Sequence, residues 1–590
     1  MSFIYPRIAD STATITVSSA QWGQSTYYIG AGDGFVPDQK ASFAEIKDLG
    51  LNTMRVSGQA SNWEPVDDSP VYGKPSIDQI KADPNSIKWS VWDAHLASNW
   101  IGGMSGSEYF KTLKDMGIRS VIKFTLDHDG AGTFMANPPI TDADKNEWWK
   151  YVFAIAYWLN VRNDYQVNDY EVFNEPDAIP RFWHGTKDQF FDFMRLTHDA
   201  IDYVYKKYLP GRTYHVLAPT PTWTNDWISD ALAKVPDTFD SVSYHQYITG
   251  SQLSLGAKTV HGYLNQSGHS KYPLWITEWG SYDAFKDYGG GPANDSIPFG
   301  ISIINGLMNI SHPGDEYVYG THYYVLHQWE PGSGLIDTNE KPRKVYYALR
   351  MATRALLGGK PTFQSVASTS DLNAIATKDG STMYILATNT NSSSSYTVDT
   401  DLSGFVSNAN TTLYQYDSNH LDISTAGPSV NNGHVTLSIP NSGAVLLEIK
   451  LDPTAPPPAP PVSSAAQKLV GLGSKCIGTQ NNSSSNGTGL ILSDCNSNPD
   501  QKWTLTTQGA LQGINNKCIG TQNNSSLNGT GLILSDCNSN PNQKWALTTQ
   551  GALQGINNKC VGTQNGKSDN ATGIILWECN GNPDPKWALQ

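Results

Sequence analysis

Two glutamates stand at the ends of short apolar runs, where their side chains could act on a bound molecule. Glu175 lies in residues 170–177 (YEVFNEPD), and Glu278 lies in residues 274–280 (LWITEWG). Pro176 cannot donate a hydrogen bond to a neighbouring strand, and it favours an extended conformation in the residue before it. We therefore expect Glu175 where a strand stops and a loop begins.

The spacing of these two glutamates predicts the architecture that holds them. They lie 103 residues apart, which fits three βα units of ~31 residues in a barrel of ~250 residues. This places them on strands 4 and 7 of a (β/α)8 barrel, at the end of the barrel that carries catalytic groups. Two carboxylates that face each other across a sugar ring can break a glycosidic bond. Asn174, next to Glu175, could hydrogen-bond a sugar hydroxyl.

The first 357 residues alternate between strand-like and helical patterns, which is typical of a (β/α)8 TIM barrel. We assign the barrel to residues 21–357. The expected strands are residues 27–35, 53–56, 120–125, 170–173, 215–218, 241–247, 274–280 and 317–324, and helical periodicity is clearest at 42–49, 106–116, 148–161 and 344–357. Residues 58–104 are too long for an ordinary loop and are interpreted as an insertion that shapes the cleft.

Three further segments follow or precede the barrel. Short alternating runs separated by Asn, Ser and Gly turns predict a β-sandwich over residues 358–451, completed by a strand in residues 1–20. Residues 452–465 are a proline-rich linker. Residues 466–590 contain three copies of a ~42-residue unit, which must share one core. Their strand-and-turn composition favours a β-trefoil over a propeller, for which three blades are too few.

All six cysteines lie in the repeats. Members of a pair are 19 residues apart, and equivalent cysteines are 42 residues apart. An even count on a strict period predicts one disulfide in each repeat, and no C-x2-C spacing or nearby histidine supports the alternative of a zinc site. The expected pairs are Cys476–Cys495, Cys518–Cys537 and Cys560–Cys579. Disulfides indicate an oxidising compartment, hence a secreted protein whose signal has been removed.

The composition limits the kinds of molecule that we expect the protein to bind. The net charge of −14 argues against a nucleic acid or a membrane surface, and no run of about 18 apolar residues predicts a membrane span. With 18 Trp and 29 Tyr, the chain has aromatic rings enough for both its cores and a cleft. We expect a monomer that acts on a neutral polysaccharide or oligosaccharide, without a cofactor or metal.

The motifs FNEP and ITEWG resemble those on strands 4 and 7 of retaining glycoside hydrolases of clan A. The stretch GLID…KPRKVYYALR and the trailing sandwich look most like family 39, with families 30 and 51 as neighbours. The resemblance implies that Glu175 is the acid/base and Glu278 the nucleophile.

The same resemblance assigns roles to four more residues. It matches Arg55 on strand 2, the pair His245 and Tyr247 on strand 6, and an aromatic residue after strand 8, Trp329. Arg55 and Tyr247 would keep Glu278 ionised through charge and hydrogen bonding. Each of these residues has a structural alternative: an ion pair for Arg55, and ordinary packing or a place on the rim for the others.

Two more positions are candidates from their residue types and places alone. Trp223, after strand 5, could stack on a sugar, although aromatic rings also fill cores. His128, between Asp127 and Asp129 after strand 3, could bind hydroxyls; we do not expect this cluster to bind a metal.

The C-terminal repeats resemble ricin-B-type lectin domains, also called carbohydrate-binding module family 13, in their Cys pairs and Q-x-W ends. That family usually has Asp two residues after the first Cys, where this chain has Gly478, Gly520 and Gly562. It often has an aromatic residue two before the second Cys, which only repeat 3 keeps, as Trp577. Trp577 is therefore the best candidate for sugar binding in a trefoil whose usual pockets are altered.

These observations together predict a secreted retaining glycoside hydrolase joined to a lectin-like module. The alternatives are a transglycosylase that uses the same glutamates and a carbohydrate-binding protein without catalysis. The sugar, the linkage and the choice between endo and exo action are not predicted.

Overall fold

The computed structural model describes residues 11–32, 39–65, 71–101, 104–126, 137–247, 251–280, 287–288, 291–292, 295–328, 333–451, 467–506, 509–538, 540–547, 552–579 and 586–589. None of the helices in these ranges is long and apolar enough to cross a bilayer.

Eight parallel strands close into a barrel in chain order, as the sequence predicts. Barrel strands 1 to 8 are Tyr28–Gly32, Thr53–Gln59, Arg119–Thr125, Asp169–Val172, His215–Pro219, Ser241–Gln246, Leu274–Trp279 and Gly320–Tyr323. Glu175 follows the end of strand 4, and Glu278 is the penultimate residue of strand 7. Both therefore lie at the carboxyl end of the barrel.

Eight helices pack around these strands in the described ranges. They are Gln39–Leu49, Gly106–Asp115, Asp142–Tyr157, Lys187–Tyr208, Asp226–Lys234, Ser251–Ser267, Ile297–Asn309 and Lys344–Leu356. The third begins six residues before its predicted start, because Thr141 and Asp144 form a capping box that fixes its first turn. It continues as a π-helical turn, Trp158–Arg162.

The insertion after strand 2 folds into short elements, and three of its tryptophans belong to the core. Its elements are Ala60–Trp63, Ile77–Ala82, Trp89–Leu96, Asn99–Ile101 and Met104–Ser105. Trp63, Trp89 and Trp92 are buried, so these three rings pack in the core and do not face solvent. Buried Lys150 anchors the segment, with its Nζ 3.1 Å from Glu64 and 2.8 Å from Glu147.

The predicted sandwich is one continuous sheet of nine strands. Their order is Leu421–Ala426, Thr411–Tyr416, Gly443–Lys450, Thr382–Asn389, Leu372–Asp379, Pro361–Ala367, Ser11–Gln24, Tyr396–Asp401 and His434–Ile439. Apolar residues from both ends of this order share one core, so the sheet curls over itself. The amino-terminal strand runs antiparallel to Pro361–Ala367 and parallel to Tyr396–Asp401.

The outer face of this sheet packs on the barrel. Leu386 and Leu446 belong to the same core as the barrel helices. Buried Asp422 accepts from Arg350 Nε at 2.6 Å and Arg354 Nη1 at 2.5 Å, both on the last barrel helix. Because buried charges are costly unless paired, these bonds fix the sheet against the barrel.

The C-terminal repeats form a trefoil with one shared core. Their strands are Leu469–Val470, Cys476–Thr479, Leu490–Ser493, Thr504–Leu505, Leu511–Gln512, Lys517–Thr521, Leu532–Asp536, Ala546–Leu547, Leu553–Gln554, Cys560–Thr563, Ile574–Trp577 and Ala588–Leu589. Trp503, Trp545 and Trp587 meet in that core, and each donates its indole N–H to a backbone carbonyl. The three predicted disulfides are present.

Candidate active site

Backbone hydrogen bonds join the exits of strands 4, 5 and 6. Glu175 N–H donates to Thr220 O at 3.0 Å, Thr220 N–H to Ser243 O at 3.0 Å, and His245 N–H to Pro221 O at 2.9 Å. These bonds continue the barrel past the ends of its strands. They hold the Glu175 backbone on the rim instead of leaving it to a free loop.

The chain leaves strands 4 and 5 through left-handed backbone conformations. The φ angles are 72° at Phe173, 48° at Glu175 and 58° at Thr220. Side chains other than glycine rarely adopt such angles, and they cluster at functional sites when the surroundings enforce them. Phe173 supplies part of that enforcement, since its buried ring packs edge-on against Trp183 and Phe193.

Arg55 organises the floor of the site. This guanidinium is only 4% exposed, and it donates Nε to Glu171 and Nη1 to Glu278. Its Nη2 lies 3.1 Å from Asn174 Oδ1 and 3.4 Å from His245 Nε2. One buried cation from strand 2 thereby connects residues of strands 4, 6 and 7.

Glu278 is held in its ionised form. A bulge in strand 7 sets Glu278 level with His245 of strand 6, and Tyr247 Oη donates to Glu278 Oε2. Burial alone would raise the pKa of Glu278, but charge interactions with His245, Arg55 and Lys123, with the Tyr247 hydrogen bond, lower it to about 2. Burial and the two glutamates raise the pKa of Tyr247 well above its usual value, so the phenol keeps its proton.

The two glutamates face each other with His245 between them. His245 Nδ1 lies 2.8 Å from Glu175 Oε1 and 3.4 Å from Glu278 Oε2. One carboxylate oxygen of Glu175 and one of Glu278 lie within 4.8 Å of each other. Because Nε2 faces the N–H of Arg55, Nδ1 is the nitrogen that donates to the carboxylates.

Asp177 links the loop of Glu175 to the loop of Trp223. Its carboxylate accepts from Thr222 N–H at 2.8 Å, Thr222 Oγ1 at 2.6 Å and Asn225 Nδ2 at 2.7 Å. Trp223 lies between Thr222 and Asn225 in the chain, and it is 43% exposed. The loop after strand 5 therefore presents a solvent-facing indole from a fastened backbone.

The structure brings together most of the predicted residues. Glu175, Glu278, Arg55, His245, Tyr247 and Asn174 form one hydrogen-bonded group. Trp223 is on the neighbouring loop, and Trp577 is in the trefoil. His128 and Trp329 lie outside the described residues.

Sequence reasoning missed three members of the site. Glu171 is fully buried beside Arg55, and Lys123 Nζ lies 3.4 Å from Asn174 Oδ1. Asp177 accepts hydrogen bonds from the loop after strand 5. A charged residue in the middle of an apolar barrel strand needs a buried partner, and that was the available signal for Glu171 and Lys123. Asp177 had no such signal, because an acidic residue in a loop is ordinary.

Side chains surround the glycines that stand where the lectin family usually has Asp, in repeats 1 and 2. A Cβ placed on Gly478 would lie 2.8 Å from Asp500 Oδ2, which accepts from Thr479 N–H at 3.1 Å. Gln501 Nε2 donates to Ser493 Oγ at 2.7 Å, and the same bond recurs in repeat 2 between Gln543 and Ser535 at 2.6 Å. The polar side chains beside these glycines therefore hydrogen-bond to one another.

Comparison with known proteins assigns a family only to the C-terminal region. Residues 466–587 match the ricin-type β-trefoil lectin domain, which agrees with the fold described above. No curated protein matches the chain.

Solved structures share the fold of the remainder. An endoxylanase of glycoside hydrolase family 30 from Clostridium papyrosolvens C71 aligns with a TM-score of 0.51 and 15% identity, covering 74% of this chain and 100% of its own. A family 39 enzyme from Xanthomonas axonopodis pv. citri gives 0.54 and 15%, covering 76% and 100%. A monomeric β-xylosidase from Caulobacter crescentus CB15 gives 0.54 and 14%, covering 74% and 99%. The barrel with its curled sheet thus shares the fold of these three enzymes.

Proposed function

We propose that this protein is a secreted retaining glycoside hydrolase that cleaves a neutral polysaccharide or oligosaccharide. The observation that carries the proposal is the approach of Glu175 and Glu278 to within 4.8 Å. Retaining enzymes keep their carboxyl groups ~5–5.5 Å apart, whereas inverting enzymes need ~6.5–9.5 Å to admit a water molecule. The distance supports a direct attack by one carboxylate.

The two carboxylates have different surroundings and therefore different roles in the reaction. Glu278, ionised and held by Arg55 and Tyr247, attacks the anomeric carbon, while Glu175 gives its proton to the departing glycosidic oxygen. A glycosyl-enzyme on Glu278 results. Glu175 then takes a proton from water, whose oxygen displaces Glu278, so the product keeps the configuration of the substrate.

The surrounding residues orient this pair. Asn174 uses its Oδ1 on Arg55 and Lys123, so its amide N–H2 is the group available to a sugar hydroxyl. His245 Nδ1 lies between the two carboxylates and holds them at a fixed separation. Trp223 lies on the side of Glu175, where the leaving sugar must be, and would stack on it. Trp329 and His128 remain predicted contributors.

The substrate class follows from the same features. Arg55 is already committed to Glu171 and Glu278, and the chain carries a net charge of −14, so an uncharged glycan fits better than an acidic one. Two of the similar structures are a xylanase and a xylosidase, which makes neutral xylans the first polymers to test. Three disulfides support secretion.

Product stereochemistry and two variants test the proposal. Proton NMR during cleavage should show the substrate's anomeric configuration first in the product. Glu278→Ala should lose activity by about 10⁴-fold or more, and azide should restore turnover as a glycosyl azide of inverted configuration. Glu175→Gln should slow aryl glycosides with good leaving groups far less than natural sugars.

Other outcomes would select another function. An inverted product, or Glu278→Ala that keeps its activity, would refute the assigned roles. Sugar transfer that dominates over release to water would indicate a transglycosylase. Binding of glycans without any turnover on the panel would leave a carbohydrate-binding protein.

A further inference from the structure

Glu171 is a buried carboxylate to which the reaction described above gives no role. It lies in strand 4, four residues before Glu175, and no part of its side chain is exposed. Its Oε2 accepts from Nε of Arg55. A buried charge costs free energy unless it is paired. The position of Glu171 beneath the site therefore needs an explanation in terms of the charge on Arg55.

Arg55 contacts two anions and two groups that are not anions. Its Nε and Nη1 donate to Glu171 and Glu278, whereas its Nη2 faces Asn174 Oδ1 and His245 Nε2. Burial alone would lower the pKa of Arg55, but the charges of Glu171 and Glu278 and their hydrogen bonds raise it above its usual value. The guanidinium therefore stays charged, and it is shared between two carboxylates.

The proposed reaction removes one of these two anions. When Glu278 bonds to the anomeric carbon, its carboxylate becomes an ester and carries no charge. Arg55 remains a buried cation. Glu175 becomes ionised at the same stage, but its Oε1 contacts His245 Nδ1 at 2.8 Å and not Arg55. Of the two carboxylates on Arg55, the one that still carries its charge is Glu171, which makes and breaks no bond.

We propose that Glu171 is a positioning residue that serves as the permanent counter-ion of Arg55. This inference rests on the proposed function, because it requires Glu278 to form the ester. In the free enzyme Arg55 is shared between Glu171 and Glu278, and in the glycosyl-enzyme it is paired with Glu171 alone. Arg55 thus keeps a partner in both states, and its hydrogen bond to Asn174 stays in place. Glu171 stabilises the glycosyl-enzyme relative to the free enzyme.

This role predicts opposite effects on the two steps of the reaction. Glu171→Gln keeps an oxygen that can accept from Arg55 Nε, but it removes the negative charge. Because Glu278 loses its charge as the glycosyl-enzyme forms, that step should become slower. Because Glu278 regains its charge as the glycosyl-enzyme breaks down, that step should become faster. A loss of packing alone would slow both steps.

Labelling of the full chain with 2,4-dinitrophenyl 2-deoxy-2-fluoro-β-xyloside, or with the corresponding β-glucoside, tests this role. Released dinitrophenolate gives the rate of labelling. Intact-protein mass spectrometry then follows the loss of the label once excess reagent has been removed. Compared with the parent, Glu171→Gln should be labelled about tenfold more slowly and should lose the label about tenfold faster.

Two further variants complete the series. Glu171→Asp keeps the charge but places it farther from Arg55, so both of its rates should lie between those of the parent and Glu171→Gln. This variant also carries the test if Glu171→Gln does not fold. Glu147→Gln is the matched control, because Glu147 is an almost fully buried carboxylate that pairs with Lys150 at 2.8 Å beneath the insertion. It should leave both rates unchanged.

The outcomes separate this inference from the proposed function. A parent that takes the label, with Glu171 variants that keep both of its rates, would overturn this inference alone. Slower labelling together with slower loss of the label would also overturn it, since Glu171 would then be a packing residue. A parent that takes no label and hydrolyses no glycan would overturn the proposed function and this inference with it.

Discussion

The barrel mouth and the trefoil use polar side chains in opposite ways. At the barrel mouth, Glu171 and Asn174 from strand 4 and its exit, His245 from strand 6 and Glu278 from strand 7 all contact Arg55 of strand 2. In the trefoil, an asparagine that donates to an acidic residue of the next repeat, and a lysine that pairs with that acid, recur three times. Each contact at the barrel mouth occurs once, whereas each of these trefoil contacts occurs in three copies.

This difference teaches where function should be sought in each region. In the barrel, a residue matters because it is a member of the network, and removing it leaves a buried charge without its partner. In the trefoil, the repeated residues maintain the fold, and a binding function is expected where one repeat departs from the others. The predictions below test this contrast, beginning with the largest effect.

Arg55→Met should lower the free energy of unfolding and shift the pH dependence of kcat/KM. It leaves Glu171 and Glu278 buried without their cation, at a cost of about 3–5 kcal/mol of unfolding free energy. The pKa of Glu278, held at about 2 against an ordinary 4.5, should rise because burial then dominates. The acid limb of kcat/KM should move to higher pH. Urea unfolding and pH–rate profiles measure the two effects.

The sign of the stability change with pH gives a second readout. In the parent, the stability from ionised Glu278 is present above pH 4.5 and is lost as the pH falls toward 2. Arg55→Met should lack this loss. Arg354→Met is the control, because it breaks the bond to Asp422 at the sheet and should leave the acid limb unmoved. An unmoved limb in Arg55→Met would contradict the network.

Replacing one disulfide should weaken the trefoil alone. Cys518→Ser with Cys537→Ser opens a loop of 19 residues, which is worth about 3 kcal/mol. Differential scanning calorimetry should show a lower melting temperature for the trefoil, with turnover of a small aryl glycoside unchanged. The Cys560 and Cys579 pair should behave the same, because the repeats are equivalent scaffolds. Unequal decreases in melting temperature would show that the repeats are not equivalent. A loss of turnover would show that the effect is not confined to the trefoil.

Asp177→Ala should have the smallest effect, a lower kcat/KM that is confined to oligosaccharide substrates. Freeing Thr222 and Asn225 loosens the loop of Trp223, so kcat/KM for oligosaccharides should fall by about tenfold, equivalent to ~1.4 kcal/mol. Aryl glycosides that place no sugar on Trp223 should be affected less. Asp226→Ala, which removes a nearby exposed partner of Lys187, should change neither. Equal losses on both substrates would contradict a positioning role for Asp177.

Much of the architecture was predictable from spacing. The repeating βα unit of the barrel sets both the gap between the two glutamates and the alternation of helical and strand patterns. The repeating unit of the trefoil sets the period of the cysteines. The helix starting at Asp142 shows the limit: apolar periodicity marked the buried turns around Trp148, but the cap at Thr141 set the start. Boundaries depend on single side chains that periodicity does not register.

The positions of Glu175 and Glu278 were predictable for a different reason from the residues that surround them. Glu175 is marked by its neighbours in the chain, Asn174 and Pro176. Glu171, Lys123 and Asp177 take their meaning from partners more than 40 residues away in the chain. Likewise, Trp63, Trp89 and Trp92 of the insertion are core residues, and composition alone could not show whether their rings line a cleft or pack in the core.

The place of the first strand has a consequence for biosynthesis. Ser11–Gln24 leaves the ribosome before any barrel strand, but both of its hydrogen-bonding partners, Pro361–Ala367 and Tyr396–Asp401, are translated after the barrel is complete. Through that interval the nascent chain carries an open β-edge, which is the kind of surface that aggregates. A gene truncated at residue 357 would make that exposure permanent, so a fragment made to study the barrel alone should extend to residue 451.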